Sequence, residues 1–233
     1  GGPAEPPSDG TLASWLERAV LAPFRDFIGR RGLAVALVIL AFISLYKACD
    51  VLLTLMADPF YLDIGFTKTD IAQVSGTFGL FVGLLGGVLG GLVAFRMGIL
   101  RALFLAGILQ GGSNLAFAWL AMLGPSKLAF FLVILVENLS SGIGTAVFVA
   151  YLSSLCSRHY TATQYALLTS FMQLFGKFVI VPSSGFLADG LGWTWFFIGS
   201  ALLALPGLVL LAWLQRRVGI EEPAPGTAAV RSG

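Results

Sequence analysis

The sequence predicts an all-α membrane protein, six transmembrane helices gathered into one bundle, and three observations carry that reading. Hydrophobic residues make up 57% of the 233 positions and charged residues only 11%, where a soluble domain carries roughly a quarter charged. The apolar residues run in six blocks, each longer than the ~18 residues that mark a membrane span. Arginines fall between alternate blocks, which puts them all on one side of a membrane crossed six times.

Composition also removes several function classes. A net charge of +2 is too small, and the arginines too dispersed, for a nucleic-acid surface. Cys49 and Cys156 lie in different segments without metal-ligand spacing, so no disulfide framework, metal site or cofactor is expected. No HExxH, GxSxG, Walker A or Rossmann glycine pattern occurs, which argues against an enzyme. His159, the only histidine, sits between spans and reads as solvated surface. The Gly-Gly-Pro start carries no signal-peptide pattern and reads as a fragment boundary.

Taken in order, residues 1–10 are Pro, Gly, Ser and acid, a composition that cannot bury enough apolar surface to order itself, and read as a disordered linker. Over 11–31, Leu12, Trp15, Leu16, Val20, Phe24, Phe27 and Ile28 share one helical face, with Arg18 and Arg25 opposite. That pattern predicts a cytoplasmic amphipathic helix in the membrane interface, kinked at Pro23; the alternative is a linker helix packed on protein. The bundle, 32–217, then holds apolar segments at 33–56, 70–95, 99–122, 128–152, 163–188 and 193–214. Each can cross about 30 Å at 1.5 Å per residue, and short loops make neighbours antiparallel. Residues 218–233 read as a disordered cytoplasmic tail.

Orientation follows from the cations. Arg18, Arg25, Arg30, Arg31, Arg96, Arg101, Arg158, Arg216 and Arg217 all become cytoplasmic if both ends are cytoplasmic. The opposite loops carry only Lys68 and Lys127, with Asp58, Asp63, Asp70 and Asp189. A weak internal symmetry has the same form: Gly91–Gly98 and Gly185–Gly192 both carry a glycine pair seven apart, as inverted three-helix repeats would.

Inside the spans two features stand out. Gly79, Gly83, Gly87 and Gly91 recur every four residues, with Gly76, Gly86 and Gly90 beside them, a small-residue stripe that lets helices approach closely in lipid and so predicts a packing seam. Lys47, Asp50, Glu137 and Lys177 are charges within spans, each costing roughly 2.5–3.5 kcal/mol at the bilayer centre, so they must face protein or water. Counted from the helix ends, all four fall near one depth, slightly outside mid-span. Lys47 and Asp50 share a helix face with Ser44 and Thr54; Glu137 is followed by Asn138, Ser141 and Thr145. Such groups are either neutralised structural pairs or a substrate or proton pathway made of Lys47, Asp50, Glu137, Asn138 and Lys177. Lys177 is the expected partner of Glu137.

The stretches WLERAVLAPFRDFIGR (15–30), SLYKACDVLL (44–53), LRALFLAGILQGGSN (100–114), VENLSSGIGTAVFVAYLSSLC (136–156) and YTATQYALLTS (160–170) resemble, in order, the central connection and the seventh, ninth, tenth and eleventh helices of the AmpG muropeptide permease family. That family belongs to the major facilitator superfamily, two six-helix bundles around a cavity. The resemblance implies the carboxy-terminal bundle of an inner-membrane, proton-coupled importer of anhydromuropeptides, with an indirect role in beta-lactamase induction. It puts Lys47, Asp50, Glu137 and Asn138 on the cavity wall and leaves the amino-terminal bundle as a missing partner, beside lipid, solute and protons. One departure is Phe95, four residues after Gly91, where the superfamily carries an acid; Asp189 fills that position in the second copy. Alternatives are an acetyl-CoA or other solute carrier, a half-size homodimeric transporter, and a membrane-embedded enzyme using Glu137, Lys47 and Asp50.

Overall fold

The computed structural model describes residues 21–157, 160–182 and 190–218. The predicted linker and tail, the first half of the amphipathic helix, Arg158, His159 and Asp189 lie outside the described residues. The described residues include the helical elements α1 (Ala22–Arg31), α2 (Leu33–Asp63), α3 (Lys68–Met97), α4 (Ile99–Leu123), α5 (Lys127–Leu155), α6 (Thr161–Phe175, continued by a π-helical stretch Gly176–Ile180) and α7 (Trp193–Val218). No strand occurs among the described residues.

Five of these helices, α2, α3, α4, α5 and α7, are long and apolar enough to cross a membrane. The fifth predicted segment is α6, helical over its described part. Within α3, Ala72–Phe78 is a second π-helical stretch, and Thr67 and Asp70 cap its start reciprocally. Gly98, at φ 84°, makes the whole α3–α4 turn in a conformation that side-chain-bearing residues rarely adopt.

The first span runs to Asp63, beyond the expected end near residue 56, despite Pro59 inside it. Packing overrides the proline: Phe60 and Tyr61 are buried and sit in an aromatic cluster with Phe117, Phe130 and Phe197. The indole of Trp193 donates to Asp63 at 2.6 Å, tying the end of α2 to the start of α7. At that same end Lys127 and Asp70 pair at 2.8 Å.

The helices pack in series, α3 on α5, α5 on α4, α4 on α7, α7 on α2 and α2 on α6. Two apolar clusters fill the bundle. One, holding Phe27, Tyr46, Leu103, Ala106, Ile143, Tyr151 and Leu211, occupies the arginine-bearing end. The other, holding Leu52, Phe60, Phe117, Val133, Ile134, Phe196 and Phe197, occupies the opposite end.

α1 spends its apolar face on protein over the described residues. Pro23 and Phe27 are buried, and Phe27 belongs to the arginine-end cluster. Pro23 sits in the first turn, where its missing N–H leaves no helical bond unmade.

Candidate functional site

Every central helix changes character where the two apolar clusters part. On α2 the break holds Lys47 and Asp50, between Tyr46 and Leu52; on α4 it holds Gln110, Ser113 and Asn114, between Ala106 and Phe117. On α5 it holds Glu137, Asn138, Ser140 and Ser141, between Ile134 and Ile143; on α7, Ser200 follows Phe197. Polar residues on four helices thus meet at one level of an otherwise apolar bundle.

The centre of this layer is an ion pair. Lys47 donates from Nζ to Asp50 Oδ2 along one face of α2, with only 15% and 16% of the two side chains exposed. Asp50 Oδ1 accepts a second hydrogen bond, 2.6 Å, from Nε2 of Gln110 on α4. Each carboxylate oxygen therefore has a donor, which is what keeps a charge tolerable away from water. Lys47 Nζ also lies 5.7 Å from the centre of the Phe148 ring on α5, a cation–π distance. Tyr46 stacks on that ring and donates to the Leu103 carbonyl at 3.1 Å.

Sequence reasoning missed Gln110, which is 4% exposed. Its signal was a lone polar side chain in an apolar span, weaker than a charge. Its position depends on Gly144, where a Cβ would come within 2.9 Å of Gln110 Oε1. One turn on, Asn114 is fully buried and neither amide atom has a partner among the described residues.

Glu137 makes no hydrogen bond or ion pair among the described residues. The structure does not bring Lys177 to it. Lys177 is exposed, on the π-helical stretch of α6, without an ion pair among the described residues. Its neighbour Gly176 packs toward Val51, one residue past Asp50. Asn138 turns its amide back to the Ile134 carbonyl, 3.0 Å, and lies against Gly79.

The glycine seam is shifted from the predicted stripe. A Cβ on Gly86 would meet the Leu139 carbonyl at 2.5 Å, one on Gly90 the Ile143 carbonyl at 2.7 Å, and one on Gly142 the Gly83 carbonyl at 2.2 Å. Gly79 touches Asn138, whereas nothing lies within 4 Å of a Cβ on Gly87 or Gly91. Helical geometry explains the difference: at about 100° per residue, each four-residue step turns about 40° away, so Gly91 lies about 120° from Gly79. Gly79, Gly86 and Gly90 stay within about 40° of one another and form the face that meets α5. Beside the seam, Gly79, Gly83, Gly87, Asn138, Ser141 and Thr145 line an open groove of about 400 Å³.

Helices long and apolar enough to cross a membrane, with an ion pair held between two apolar clusters inside the bundle, define a multi-pass membrane protein with a candidate site at that level. By sequence, the chain is similar to one half of proteins named as AmpG transporters and anhydromuropeptide permeases. It is 37% identical over 210 residues to AmpG 4 of Rickettsia felis, covering 90% of this chain and 50% of that protein. It is 36% identical over 208 residues to the anhydromuropeptide permease of Escherichia coli K12, covering 89% and 42%. AmpG 3 of Rickettsia prowazekii is 34% identical over 181 residues, 78% of this chain and 43% of that protein. The chain thus spans about half the length of the relatives it matches. No family model matches it.

Proposed function

We propose that this chain is the carboxy-terminal six-helix bundle of a proton-coupled permease that imports anhydromuropeptides across the bacterial inner membrane, with both ends cytoplasmic and no enzymatic activity. The substrate class rests on the name of the E. coli relative, matched over 89% of this chain. The observation that carries the mechanism is the Lys47–Asp50–Gln110 cluster at the level where the apolar core is interrupted, a level that also holds Glu137, which has no hydrogen bond or ion pair among the described residues. Asp50 has a lysine counter-charge and an amide donor, whereas Glu137 has neither among the described residues, which leaves Glu137 the carboxylate without a fixed partner. A change of exposure between outward- and inward-facing states would load Glu137 on one side and unload it on the other. Lys177, exposed and without an ion pair among the described residues, is suited to hold a carboxylate of the solute.

Alternating access needs two bundles rocking about a shared site, so the amino-terminal bundle is the required partner. Uptake of radiolabelled anhydromuropeptide into proteoliposomes tests this. The chain co-reconstituted with six further spans of the same transporter should accumulate solute under an inward proton gradient, and the chain alone should not. Uptake by the chain alone would favour the homodimeric half-size transporter instead.

A further inference from the structure

The motif YTATQYALLTS contains a residue that the transport reading leaves unused. Gln164, in the first turn of α6, is 2% exposed, and its amide meets the backbone and side chains of two other segments. Its Oε1 accepts from Arg30 Nη2 at 3.1 Å and from the Ser157 backbone N–H at 2.7 Å. Its Nε2 donates to the Pro23 carbonyl at 3.0 Å and to Asp26 Oδ2 at 2.9 Å. The amide's four hydrogen-bonding positions are all used. Three of the four bonds run to α1, and the fourth fixes the turn that leaves α5.

The surrounding contacts act in the same sense. Arg30 Nε donates back to Asp26 Oδ2 at 3.0 Å, closing an Asp26–Arg30–Gln164 triangle. Arg31 donates to the Leu155 carbonyl, the last residue of α5, at 3.5 Å. Pro23, Phe24 and Phe27 line one small apolar cavity together with Leu167 and Leu168 of α6. Between α1 and α2 stands only Gly32, at φ 79°.

We propose that Gln164 is a positioning residue that latches the connecting helix α1 to the α5–α6 corner, so that α1, the start of α2 and the start of α6 move as one body. The inference rests on the reading of this chain as a transporter bundle, for it gives the segment preceding the bundle a mechanical hold on α6, the helix that carries Lys177. A conformational step that tilts α6 must then carry α1 with it, and a pull on α1 must be felt at Lys177.

The test needs no transport, so its failure is separable from that of the transport reading. Backbone hydrogen exchange is measured on the full chain in lipid nanodiscs, for wild type, Gln164→Leu and the α1-side variant Asp26→Ala/Arg30→Ala. Gln164→Leu should raise exchange of the α1 amides at least tenfold and leave the centre of α4 unchanged. The α1-side variant keeps Gln164 in place, so it remains informative if Gln164→Leu does not fold. It should raise exchange both in α1 and at Tyr165–Leu168 of α6, because coupling between sites is reciprocal. Unchanged α1 exchange in either variant would overturn the latch, leaving Pro23 and Phe27 packing as the hold. A rise confined to α1 in the α1-side variant would overturn the coupling.

Discussion

Gln110 on α4 reaches across to Asp50 on α2 with a 2.6 Å hydrogen bond, closing the free side of a carboxylate whose other oxygen is held by Lys47. Gln110→Leu should therefore destabilise the bundle by about 1–3 kcal/mol, the cost of leaving a buried charged group short of one donor. Gly144→Ala, which crowds Gln110 Oε1, should weaken it in the same direction but less. Equilibrium unfolding in mixed micelles checks both, and wild-type stability in Gln110→Leu would show that the bond contributes nothing.

The α3–α5 seam makes a sharper contrast. Gly142→Ala and Gly86→Ala place a Cβ at 2.2 Å and 2.5 Å from backbone oxygens, which no side-chain rotation can relieve, and should cost about 1–3 kcal/mol or more. Gly87→Ala and Gly91→Ala meet open space and should stay within about 0.5 kcal/mol of wild type. Thermal stability of the four variants in one detergent separates the seam from the stripe.

Much of this was legible in the sequence, and the residues show where it stopped being so. The spans and the Lys47–Asp50 pair could be read because periodicity, hydropathy and a three-residue spacing are local properties. The continuation of α2 through Pro59 was not, because it depends on Phe60 and Tyr61 finding Phe117, Phe130 and Phe197, residues more than fifty positions away. The seam was misplaced by a regular spacing that drifts around the helix. Glu137 and Lys177 looked like partners by charge and depth, but nothing in a single sequence says which faces α5 and α6 present to each other.

Acid should loosen α1. Burial alone would raise the Asp26 carboxyl, but the Gln164 hydrogen bond and the Arg30 guanidinium outweigh it and hold Asp26 below the ordinary carboxylate range. A group with a lowered folded value stabilises the folded arrangement above its unfolded value and loses that contribution as pH falls through the folded one. The α1 contact should therefore be constant from pH 5 to pH 8 and weaken only below about pH 4. Exchange of α1 amides, corrected for intrinsic rate, checks this; weakening already at pH 6 would point to a different group.

The two cysteines report the proposed orientation. Cys49 is buried within α2, whereas Cys156, just past the end of α5, is half-buried. Burial pushes the Cys156 thiol above its ordinary value, against the pull of Arg30 and Arg31, so its reaction should be slow at neutral pH and quicken as pH rises. A membrane-impermeant maleimide should label Cys156 alone, in inside-out vesicles and not in intact spheroplasts. Labelling of spheroplasts would invert the topology.

Coupling at the carboxylates is the centre of the account, and Asp50→Asn and Glu137→Gln in the two-bundle transporter test it most directly. Both are to be compared with wild type in proteoliposomes for folded yield, for exchange of anhydromuropeptide at equal concentration, and for accumulation under an inward proton gradient. If Glu137 carries the proton, Glu137→Gln should fold and equilibrate solute across the membrane while losing the ability to concentrate it. Asp50→Asn, which strips Lys47 of its counter-charge, should lower folded yield as well. Accumulation at wild-type levels by both variants would contradict the account and remove the two carboxylates from the mechanism.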